Sequence, residues 1–407
     1  MDTVLVINAG SSSIKFAVYS VADFAQPQAL IGRGHVAQVG DQLELLVKLS
    51  AAAIATVAAG GQPIERSQSP LARGQFDHDT AMARMFAWLD AHQADLRLVA
   101  VGHRVVHGGG QYSAAVRINA DVLRDLTALI PLAPLHQPHN LQAIRAVSQR
   151  WPAVPQVACF DTAFHSHQAP VAQAYALPRE LSAAGVRRYG FHGLSYEYIA
   201  GQLPRVLGDA SRGRVIVAHL GNGASLCAMK AGRSVASTMG FSALDGLMMG
   251  SRCGALDPGV VLYLLEEMHM TAAEVSDLLY RRSGLLGVSG ISSDMQVLLG
   301  SPDPHAAEAI TLFVHRIVVE IGALAAALGG VDALVFSAGI GEHAAPIRAR
   351  VCEGCAWLGV LLDDAANQRA DALIHAPTSR VQVAVLPTDE EQMIAAHTLR
   401  DVGLTRH

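Results

Sequence analysis

Three short turns rich in glycine, each at the end of an apolar run, are the segments of this sequence best suited to chemistry. They lie at Asn8–Ser13, His219–Ser225 and Ser337–His343. Such turns offer backbone N–H groups, hydroxyls and amides that can hold an anion or a hydrated metal ion. One turn alone is ordinary loop chemistry, whereas three at strand ends favour a phosphate-binding site. None is a Walker A loop, because the second glycine before Lys15 is missing.

Two arginines and a histidine in loops rich in glycine are the candidate anion-binding cations. Arg104 follows a short predicted strand, Arg252 lies in Met-Gly-Ser-Arg-Cys-Gly, and His192 lies between them in sequence. Arginine binds carboxylate and phosphate groups with two parallel hydrogen bonds. Solvated surface arginines are the plainer alternative for either one alone.

Two acids and an amide at predicted strand ends are the candidate metal ligands. Asp161 and Glu390 each follow a strand, as Asn8 does near the start of the chain. Mg²⁺ takes few protein oxygens and keeps several waters, so this small set suffices. The alternative for Glu390 is that, with Glu391, it only favours a helix N-terminus.

Composition restricts the class of protein. The 407 residues are 51% hydrophobic and 16% charged, with a net charge of −5, which predicts two or more domains and no nucleic-acid partner. The N-terminus lacks a cationic region, so we expect no signal peptide. The apolar run 317–336 contains Glu320 and Asp332, so we expect a buried helix followed by a strand and not a membrane span. Five cysteines without a disulfide framework make the cytoplasm the expected location.

The elements that must position these groups follow a mixed α/β pattern. Strands are predicted at Val4–Ile7, Ile14–Tyr19, within Gly32–Leu49, and at Leu98–Val101, Val154–Phe160, Arg214–Leu220, Leu226–Lys230, Ala333–Phe336 and Val381–Leu386. Helices are predicted at Asp77–Ala94, Asn119–Ile130, up to Arg150, after a Ser195 cap, and at Pro258–Met268, Ala272–Arg281, Ala306–Leu328 and after Pro387–Glu391. The remaining long connections are Ala51–Ser69, Pro131–Asn140 and Ser237–Pro258.

A repeat within the chain predicts its domain organisation. The strand, small polar turn and strand around Asn8–Ser13 recur around His219–Ser225. This repetition predicts two related halves that face each other across a cleft. We place one domain at residues 1–155 plus 386–407 and the other at 156–385.

Several other patterns have competing interpretations. Gly339-x-Gly341-x-x-Ala344, with Asp363 and Asp364 some twenty residues on, fits the loose dinucleotide fingerprint and supports a nicotinamide-dependent dehydrogenase. The histidine pairs 103/107, 136/139 and 165/167 lack the partners of a zinc site. Cys352 and Cys355 have no second pair, so we expect free thiols on a helix.

Nine blocks in order make the chain resemble the acetokinase family, which comprises acetate, propionate and butyrate kinases. The blocks lie at 6–15, 102–109, 134–138, 160–165, 188–193, 219–225, 249–254, 338–342 and 387–391. The resemblance implies the actin-like ATPase fold: two RNase H-like domains with the nucleotide between them, assembled as a homodimer. It also implies reversible, Mg²⁺-dependent phosphoryl transfer from ATP to a short carboxylate, with Mn²⁺ able to replace Mg²⁺.

The resemblance also implies residue roles. Asn8 and Glu390 would hold the metal, Arg104 the carboxylate, and Val106, Leu135 and Phe191 the alkyl end. His192 and Arg252 would stabilise the transferring phosphoryl group, and Asp161 is the family's catalytic acid. The implied ATP-binding residues are Lys15, His219, Leu220, Gly221, Asn222, Gly223, Asp294, Met295, Gln296, Gly339, Ile340, Gly341, Glu342 and His343.

Chemistry refines one of these roles, and departures from the family pattern leave others open. Acetate is already ionised at pH 7, so we expect Asp161 to orient the metal, its waters or an arginine and not to act as an obligatory base. Ala243 stands where the family usually has proline, which leaves acetate and propionate open as substrates. Gln296 and His343 also depart from the pattern, which leaves the nucleotide base open. A non-enzymatic Hsp70-like ATP switch is a further alternative, but it would not need Arg104, Arg252 and His192 together.

Overall fold

The computed structural model describes residues 1–10, 13–22, 24, 29–50, 53, 64–70, 76–92 and 95–404. The chain forms two compact units, Met1–Ala163 with Asp389–His407, and Phe164–Thr388. The strand Gln156–Phe160 belongs to the first unit because it pairs in parallel with a strand of that unit. The boundary therefore follows this strand, whereas the predicted domains divide before it.

The first unit is built on an eight-stranded sheet in the order β5-β4-β3-β2-β1-β6-β8-β7. The strands are β1 Asp2–Ala9, β2 Ser13–Ser20, β3 Leu30–Val39, β4 Gln42–Leu49, β5 Ile64–Pro70, β6 Arg97–Val105, β7 Val116–Arg117 and β8 Gln156–Phe160. Val4–Ile7 of β1 are fully buried, as the continuous apolar run predicts. β1 pairs with β2 as an antiparallel hairpin and with β6 in parallel, so it lies where the antiparallel and parallel parts of the sheet meet.

Helices cover this sheet, and most of them begin at a polar side-chain cap. They are His78–Ala91, Ala120–Ala128, Gln137–Arg150 and Glu390–Asp401, with a 3₁₀ turn at Ile130–Leu132. The side chains of Asp77, Asn119 and Asp389 each accept a hydrogen bond from the first turn of the following helix, which contributes about 1 kcal/mol per cap. The terminal helix packs closely on β6 at Gly102, where a Cβ would lie 2.2 Å from Thr398 Oγ1. Any larger residue at 102 would push this helix away from the sheet.

The second unit repeats the central topology of the first. Its sheet has the order β11-β10-β9-β12-β13. The strands are β9 Arg214–Leu220, β10 Ala224–Lys230, β11 Arg233–Ser237, β12 Ala333–Ser337 and β13 Gln382–Val385. β9, β10 and β11 are antiparallel neighbours, and β12 and β13 continue the sheet in parallel from β9. This matches β3-β2-β1-β6-β8 strand for strand, so the sequence repeat reflects a repeated fold.

Helices of very different length complete the second unit. They are Pro170–Gln173, Arg179–Ala183, Gly193–Leu207, Pro258–Glu266, Ala272–Arg281, Gly284–Ser289, Met295–Gly300, Pro304–Leu328, Ala338–His343, Ala345–Gly354 and Asp364–Arg369. Pro304–Leu328 is long and apolar enough to cross a membrane by length and composition alone. Ten of its residues are buried, and it packs against β9, β10 and β11. Strand β12 follows it at Ala333, as the break at Asp332 predicts.

Four predictions about the elements are wrong or incomplete. Residues 64–70, predicted as part of a connection, form the edge strand β5, because β4 offers them a full antiparallel register. The strand predicted at Leu98–Val101 continues to Val105, since β1 and β8 pair with it on both sides. The loop predicted up to Asn140 ends where a helix begins at Gln137, and β11 was not predicted.

Two further errors concern functional segments. Ser195 is not the cap of its helix: His192 occupies that position, and Ser195 lies inside the first turn. The third glycine-rich turn is helical from Ala338 to His343. Residues 51–52, 54–63 and 93–94 of predicted segments lie outside the described residues, as do Ser11 and Ser12 of the first turn.

Candidate active site

Arg104 is the centre of a charged cluster in the first unit. Its Nε and Nη2 donate to the two carboxylate oxygens of Asp161 at 2.9 and 2.6 Å, and its Nη1 donates to Asn8 Oδ1 at 3.2 Å. The three residues lie at or just past the ends of β6, β8 and β1. Because these strands are parallel, their carboxyl ends meet at one edge, where α/β sheets place their ligands. Arg104 is a strand residue and not the loop residue that the sequence predicts.

Glu390 adds a second carboxylate to this cluster. Its Oε2 lies 4.0 Å from Arg104 Nε. Burial raises the pKa of Glu390 to about 7; Arg104 and Lys15 act against this rise, and Asp161 and Glu391 add to it. The first unit thus holds more negative charge around Arg104 than that one cation neutralises.

Arg104 is itself held as a cation. Burial disfavours its charge, but Asp161 and Glu390 outweigh this and raise the pKa of Arg104. Each terminal nitrogen keeps one further N–H, and no acceptor among the described residues bonds to either. Asp161 occupies the Nε–Nη2 edge of the guanidinium, so the remaining Nη2 N–H points from the opposite edge and can donate to a second anionic group.

The donor set of the cluster fits Mg²⁺. Asn8 supplies an amide oxygen and Glu390 a carboxylate, both hard oxygen ligands. Glu390 and Glu391 lie in the first turn of the terminal helix, as the alternative expects, but the capping hydrogen bond is made by Asp389 Oδ1, which accepts from Gln392 N at 2.9 Å. No group of three His, Cys, Asp or Glu that could hold a metal occurs in the described ranges. Mg²⁺ takes few protein oxygens and completes its shell with water, so two protein ligands are enough.

The hairpin that carries Asn8 also carries Lys15. The two residues are direct cross-strand partners in the β1–β2 register, and Lys15 is exposed. The turn is closed by Gly10 N donating to Ser13 O at 2.9 Å. His78 Nε2 lies 2.7 Å from Gly10 O and ties the turn to the helix His78–Ala91. A cation therefore stands beside the amide at the hairpin tip.

The predicted pocket residues are apolar and mostly buried, and they divide between the units. Val106, just after β6, is 4% exposed, and Leu135 is half-buried. Phe191 lies in the second unit and is 1% exposed. Asn140 was missed: its Oδ1 accepts from Val106 N at 3.0 Å and its Nδ2 donates to Ala9 O at 2.9 Å. In the sequence, the signal for these hydrogen bonds from Asn140 to Val106 and Ala9 is an asparagine among apolar residues of a helix.

His192 and His219 form the centre of the second unit's site. Their rings stack with centroids 4.3 Å apart. His192 is in the left-handed region with φ of 59°. Its Nδ1 lies 2.8 Å from Ser225 Oγ, and His219 Nδ1 lies 2.8 Å from Ser195 Oγ. The Ser195 side chain thus orients a histidine and does not cap its helix.

The glycine turn brings backbone next to two donors. A Cβ on Gly223 would lie 2.8 Å from Arg252 Nη2 and 3.2 Å from His192 Nε2. Arg252 is held on its other side, where its Nη1 donates to Ala243 O at 2.6 Å. Three predicted features therefore converge: the second glycine turn, His192 and Arg252.

A cavity of about 590 Å³ opens beside this turn. Its predicted lining residues are Gly221, Asn222, Asp294, Met295, Gln296, Gly339, Ile340 and His343, and its additional ones are Ser293, Leu299, Ala344 and Pro346. The other predicted nucleotide residues of this unit are not among its lining residues: His219, Leu220, Gly223, Gly341 and Glu342. The volume falls in the range of small-molecule and cofactor pockets.

The structure contradicts the dinucleotide-binding interpretation, because the acidic residue that would bind the ribose is not at the pocket. Asp363 is the cap of the helix Asp364–Arg369, and its Oδ1 accepts from Ala366 N at 3.0 Å. Neither Asp363 nor Asp364 lines the cavity beside Gly339. The ribose-binding role that the fingerprint requires is therefore absent from this pocket.

The sequence profile of the Acetokinase family matches residues 3–396. An acetate kinase of Rhodopseudomonas palustris (strain ATCC BAA-98 / CGA009) is 57% identical over 402 residues, covering 98% of each chain. An acetate kinase of Rhizobium meliloti is 52% identical over 399 residues, again covering 98% of each.

Solved structures agree with these relatives. A propionate kinase from Francisella tularensis subsp. tularensis SCHU S4 superposes with a TM-score of 0.86 at 35% identity, covering 98% of this chain and 100% of that one. Porphyromonas gingivalis acetate kinase gives a TM-score of 0.83 at 36% identity, covering 99% and 100%. The predicted fold class, an α/β chain with the actin-like ATPase architecture, is confirmed by these likenesses and the two related sheets.

Proposed function

This chain belongs to the Acetokinase family, and from that premise we propose that it transfers a phosphoryl group reversibly between ATP and acetate, giving acetyl phosphate and ADP. The observation that carries the proposal is the hydrogen bonding of the Arg104 guanidinium. Asp161 and Asn8 bond three of its N–H groups, and the Nη2 N–H on the edge opposite Asp161 can donate to a carboxylate substrate.

The acceptor needs no general base. Acetate is ionised at neutral pH, so its oxygen attacks without losing a proton. Both oxygens of Asp161 are engaged by Arg104. Asp161 therefore acts by fixing the arginine that orients the substrate, one of the roles expected from its chemistry.

The transferring group needs charge stabilisation above all. Phosphoryl transfer depends on positioning and on donors directed at the phosphoryl oxygens. His192 and Arg252, beside the Gly221–Gly223 turn, supply such donors. A simple ATP switch would not need this pair together with Arg104.

Asn8 and Glu390 would hold Mg²⁺ in the first unit, with Mn²⁺ as a replacement. When bound, the ion supplies positive charge that neutralises the phosphate oxygens. Burial, and then the neighbouring carboxylates of Asp161 and Glu391, raise the pKa of Glu390, and a bound cation would relieve this cost, which supports a cation site here.

The cavity beside Gly339 suits the nucleoside of ATP. It offers apolar contacts from Met295 and Ile340 and polar groups from Gln296 and His343. Aromatic bases bind between apolar faces and take their specificity from a few polar groups. Gln296 and His343 are therefore the residues whose change would alter the preference for adenine.

Propionate kinase is the second candidate activity. A solved propionate kinase superposes on this chain with a TM-score of 0.86, and Ala243, bonded to Arg252 through its carbonyl, replaces the usual proline. One methylene changes kcat/KM by about 10–200-fold in apolar pockets. The ratio of kcat/KM for acetate and propionate decides between the two.

A second copy of the chain is the proposed partner. The helix Pro258–Glu266 is almost wholly apolar, yet only Leu264 is buried, whereas Leu262 and Tyr263 are 54% and 57% exposed. An apolar face of this kind needs a cover, and a homodimer supplies one. Light scattering of the native chain and of Leu262→Glu tests this. The five cysteines, all within the described residues, form no disulfide, which supports the cytoplasm as the location.

Acyl-phosphate formation is the direct test of function. The protein is incubated with ATP, Mg²⁺ and acetate, and the product is trapped with hydroxylamine as the hydroxamate. Acetate should give product, and Arg104→Gln should give far less. Absence of product with acetate, propionate and butyrate alike would refute the proposed function.

A further inference from the structure

The hydroxyl groups of Ser225 and Tyr196 form a series of hydrogen bonds that ends at His192. Ser225 Oγ lies 2.8 Å from His192 Nδ1, and Tyr196 Oη lies 2.6 Å from Ser225 Oγ. His192 is 9% exposed, and Ser225 and Tyr196 are fully buried. The hydroxyl hydrogens must therefore find acceptors within the protein, because unsatisfied buried donors are costly.

The direction of these hydrogen bonds follows from Tyr196. Burial raises the pKa of its hydroxyl well above the ordinary value, so the group keeps its proton. The hydroxyl therefore has one hydrogen that needs an acceptor. Ser225 Oγ is the acceptor bonded to Tyr196 in the described part of the chain.

Ser225 then has one hydrogen to donate and one partner left. With Tyr196 as the donor to Ser225, the Ser225 hydroxyl donates to His192 Nδ1. The reverse order, with Nδ1–H donating to Ser225, would leave one buried hydroxyl hydrogen without an acceptor. A neutral imidazole that accepts at Nδ1 carries its hydrogen at Nε2.

The neighbouring histidine repeats the arrangement. Thr388 Oγ1 donates to Ser195 Oγ at 2.8 Å, and Ser195 Oγ lies 2.8 Å from His219 Nδ1. Each stacked imidazole is thus held at Nδ1 by a serine that already accepts from another hydroxyl. The same order of donors and acceptors satisfies both series of hydrogen bonds.

We propose that Tyr196 and Ser225 are positioning residues that hold His192 as the neutral Nε2–H tautomer, with this N–H directed at the Gly221–Gly223 turn. Nε2 lies 3.2 Å from the position that a Cβ on Gly223 would take. For its catalytic consequence the proposal rests on the proposed function: His192 donates to a phosphoryl oxygen as a neutral group.

The surroundings agree with a neutral imidazole. His219 stacks on the ring, and Arg252 Nη2 lies 2.8 Å from the same Cβ position on Gly223. Arg252 already supplies a positive charge there, and a second cation nearby would be repelled. A neutral N–H donor directs the phosphoryl group without this cost.

Nitrogen NMR of the apo protein tests the tautomer without any activity. Protein labelled with ¹⁵N at histidine is compared with His192→Gln to assign the His192 signals at pH 8. We expect a pyridine-type Nδ1 and a pyrrole-type Nε2. In Tyr196→Phe, Ser225 loses its donor, and the two tautomers should become mixed.

Tyr189→Phe is the matched control. Tyr189 is also buried, but its hydroxyl donates to Gly185 O at 2.7 Å and not to Ser225. Both phenylalanine variants lose one hydroxyl bond, so thermal unfolding should report similar stability. A shift of the His192 signals in Tyr189→Phe as large as in Tyr196→Phe would contradict the proposal.

Kinetics then tests the consequence. Tyr196→Phe should lower kcat by about tenfold with little change in the KM for the carboxylate, because a donor directed at the transition state is loosened. A pyrrole-type Nδ1 in the native protein, or an unchanged tautomer in Tyr196→Phe, overturns the proposal even if the enzyme is active. The expected tautomer in a protein without kinase activity would instead refute only the proposed function.

Discussion

The two units place different chemistry at the same point of the same topology. In the first unit, the ends of β1, β6 and β8 carry Asn8, Arg104 and Asp161, a cluster of full charges and an amide. In the second, the end of β9 carries His219 and a glycine turn, stabilised by neutral hydroxyls. A repeated fold therefore fixes where groups converge and not which groups they are.

The difference between the two units corresponds to two kinds of binding, of a carboxylate with a metal ion and of phosphate. A charged cluster can hold a carboxylate and a metal ion, because opposite charges satisfy one another there. In the second unit, backbone N–H groups and an imidazole beside Arg252 let phosphate bind mainly through hydrogen bonds. Changes in the first unit should therefore depend strongly on charge, and changes in the second on hydrogen-bond geometry.

Removal of Arg104 should have the largest effect. Arg104→Gln leaves Asp161, buried to 2% side-chain exposure, without its cation, and the carboxylate substrate without its partner. We expect kcat/KM for acetate to fall by about 10²–10³-fold, since the loss of one partner of a hydrogen-bonded charge pair with a bound ligand costs about 2–5 kcal/mol. Steady-state kinetics at several acetate concentrations measures this.

Arg97→Gln is the control for that variant. Arg97 also forms a bidentate pair, with Asp2, but its side chain is 75% exposed. Exposed pairs contribute little, so its kinetics should match those of the native chain. Equal losses in both variants would show that Arg104 acts only through stability.

The charged cluster also predicts how Asp161 acts. Asp161→Asn keeps one acceptor for Arg104 but loses the bidentate ion pair, so we expect kcat/KM to fall by about 10–100-fold. Because no proton is abstracted, the pH dependence of the remaining rate should stay weak. Activity that returns only at high pH would identify Asp161 as a base and overturn the role assigned to it.

The sequence predicts the convergent groups better than the elements that carry them. Arg104, Asp161 and Asn8 were recognised because each follows or ends an apolar run. That Arg104 is still within β6 depends on pairing with β1 and β8, which a single segment does not contain. Ser195 looked like a helix cap, but His219 lies close enough in space to take its hydroxyl.

The supports of the site were the hardest to predict. Tyr196, Ser225 and Asn140 act through hydrogen bonds to residues distant in sequence. Their types are common in any buried face, so composition and spacing give no signal. The domain boundary depends in the same way on which sheet the strand Gln156–Phe160 joins.

The metal site should respond to loss of its amide oxygen. Asn8→Ala removes one proposed ligand and one acceptor of Arg104, while Glu390 remains. We expect the Mg²⁺ concentration for half-maximal rate to rise about tenfold, and more than the KM for acetate, since a neutral ligand is worth about one hydrogen bond to a charge. A larger change in acetate KM than in Mg²⁺ requirement would instead make the hairpin a scaffold.

The remaining expected effect is on stability and concerns Glu390. Its pKa is raised from 4.5 to about 7, so the folded state binds this proton more tightly than the unfolded chain does. The stabilisation is complete below pH 4.5 and is lost as pH rises through 7. Glu390→Gln cannot ionise, so in metal-free buffer its free energy of unfolding, relative to the native chain, should rise by about 1–3 kcal/mol between pH 4.5 and pH 8.

Urea unfolding at the two pH values measures this difference. Glu308→Gln is the control, because Glu308 is exposed on the helix Pro304–Leu328 and should show no comparable change. Mg²⁺ should selectively stabilise the native chain at pH 8, because a bound cation compensates the ionised carboxylate. Two results together would contradict the excess negative charge on which the contrast between the two units depends. The native chain would gain no stability from Mg²⁺, and Glu390→Gln would behave like Glu308→Gln.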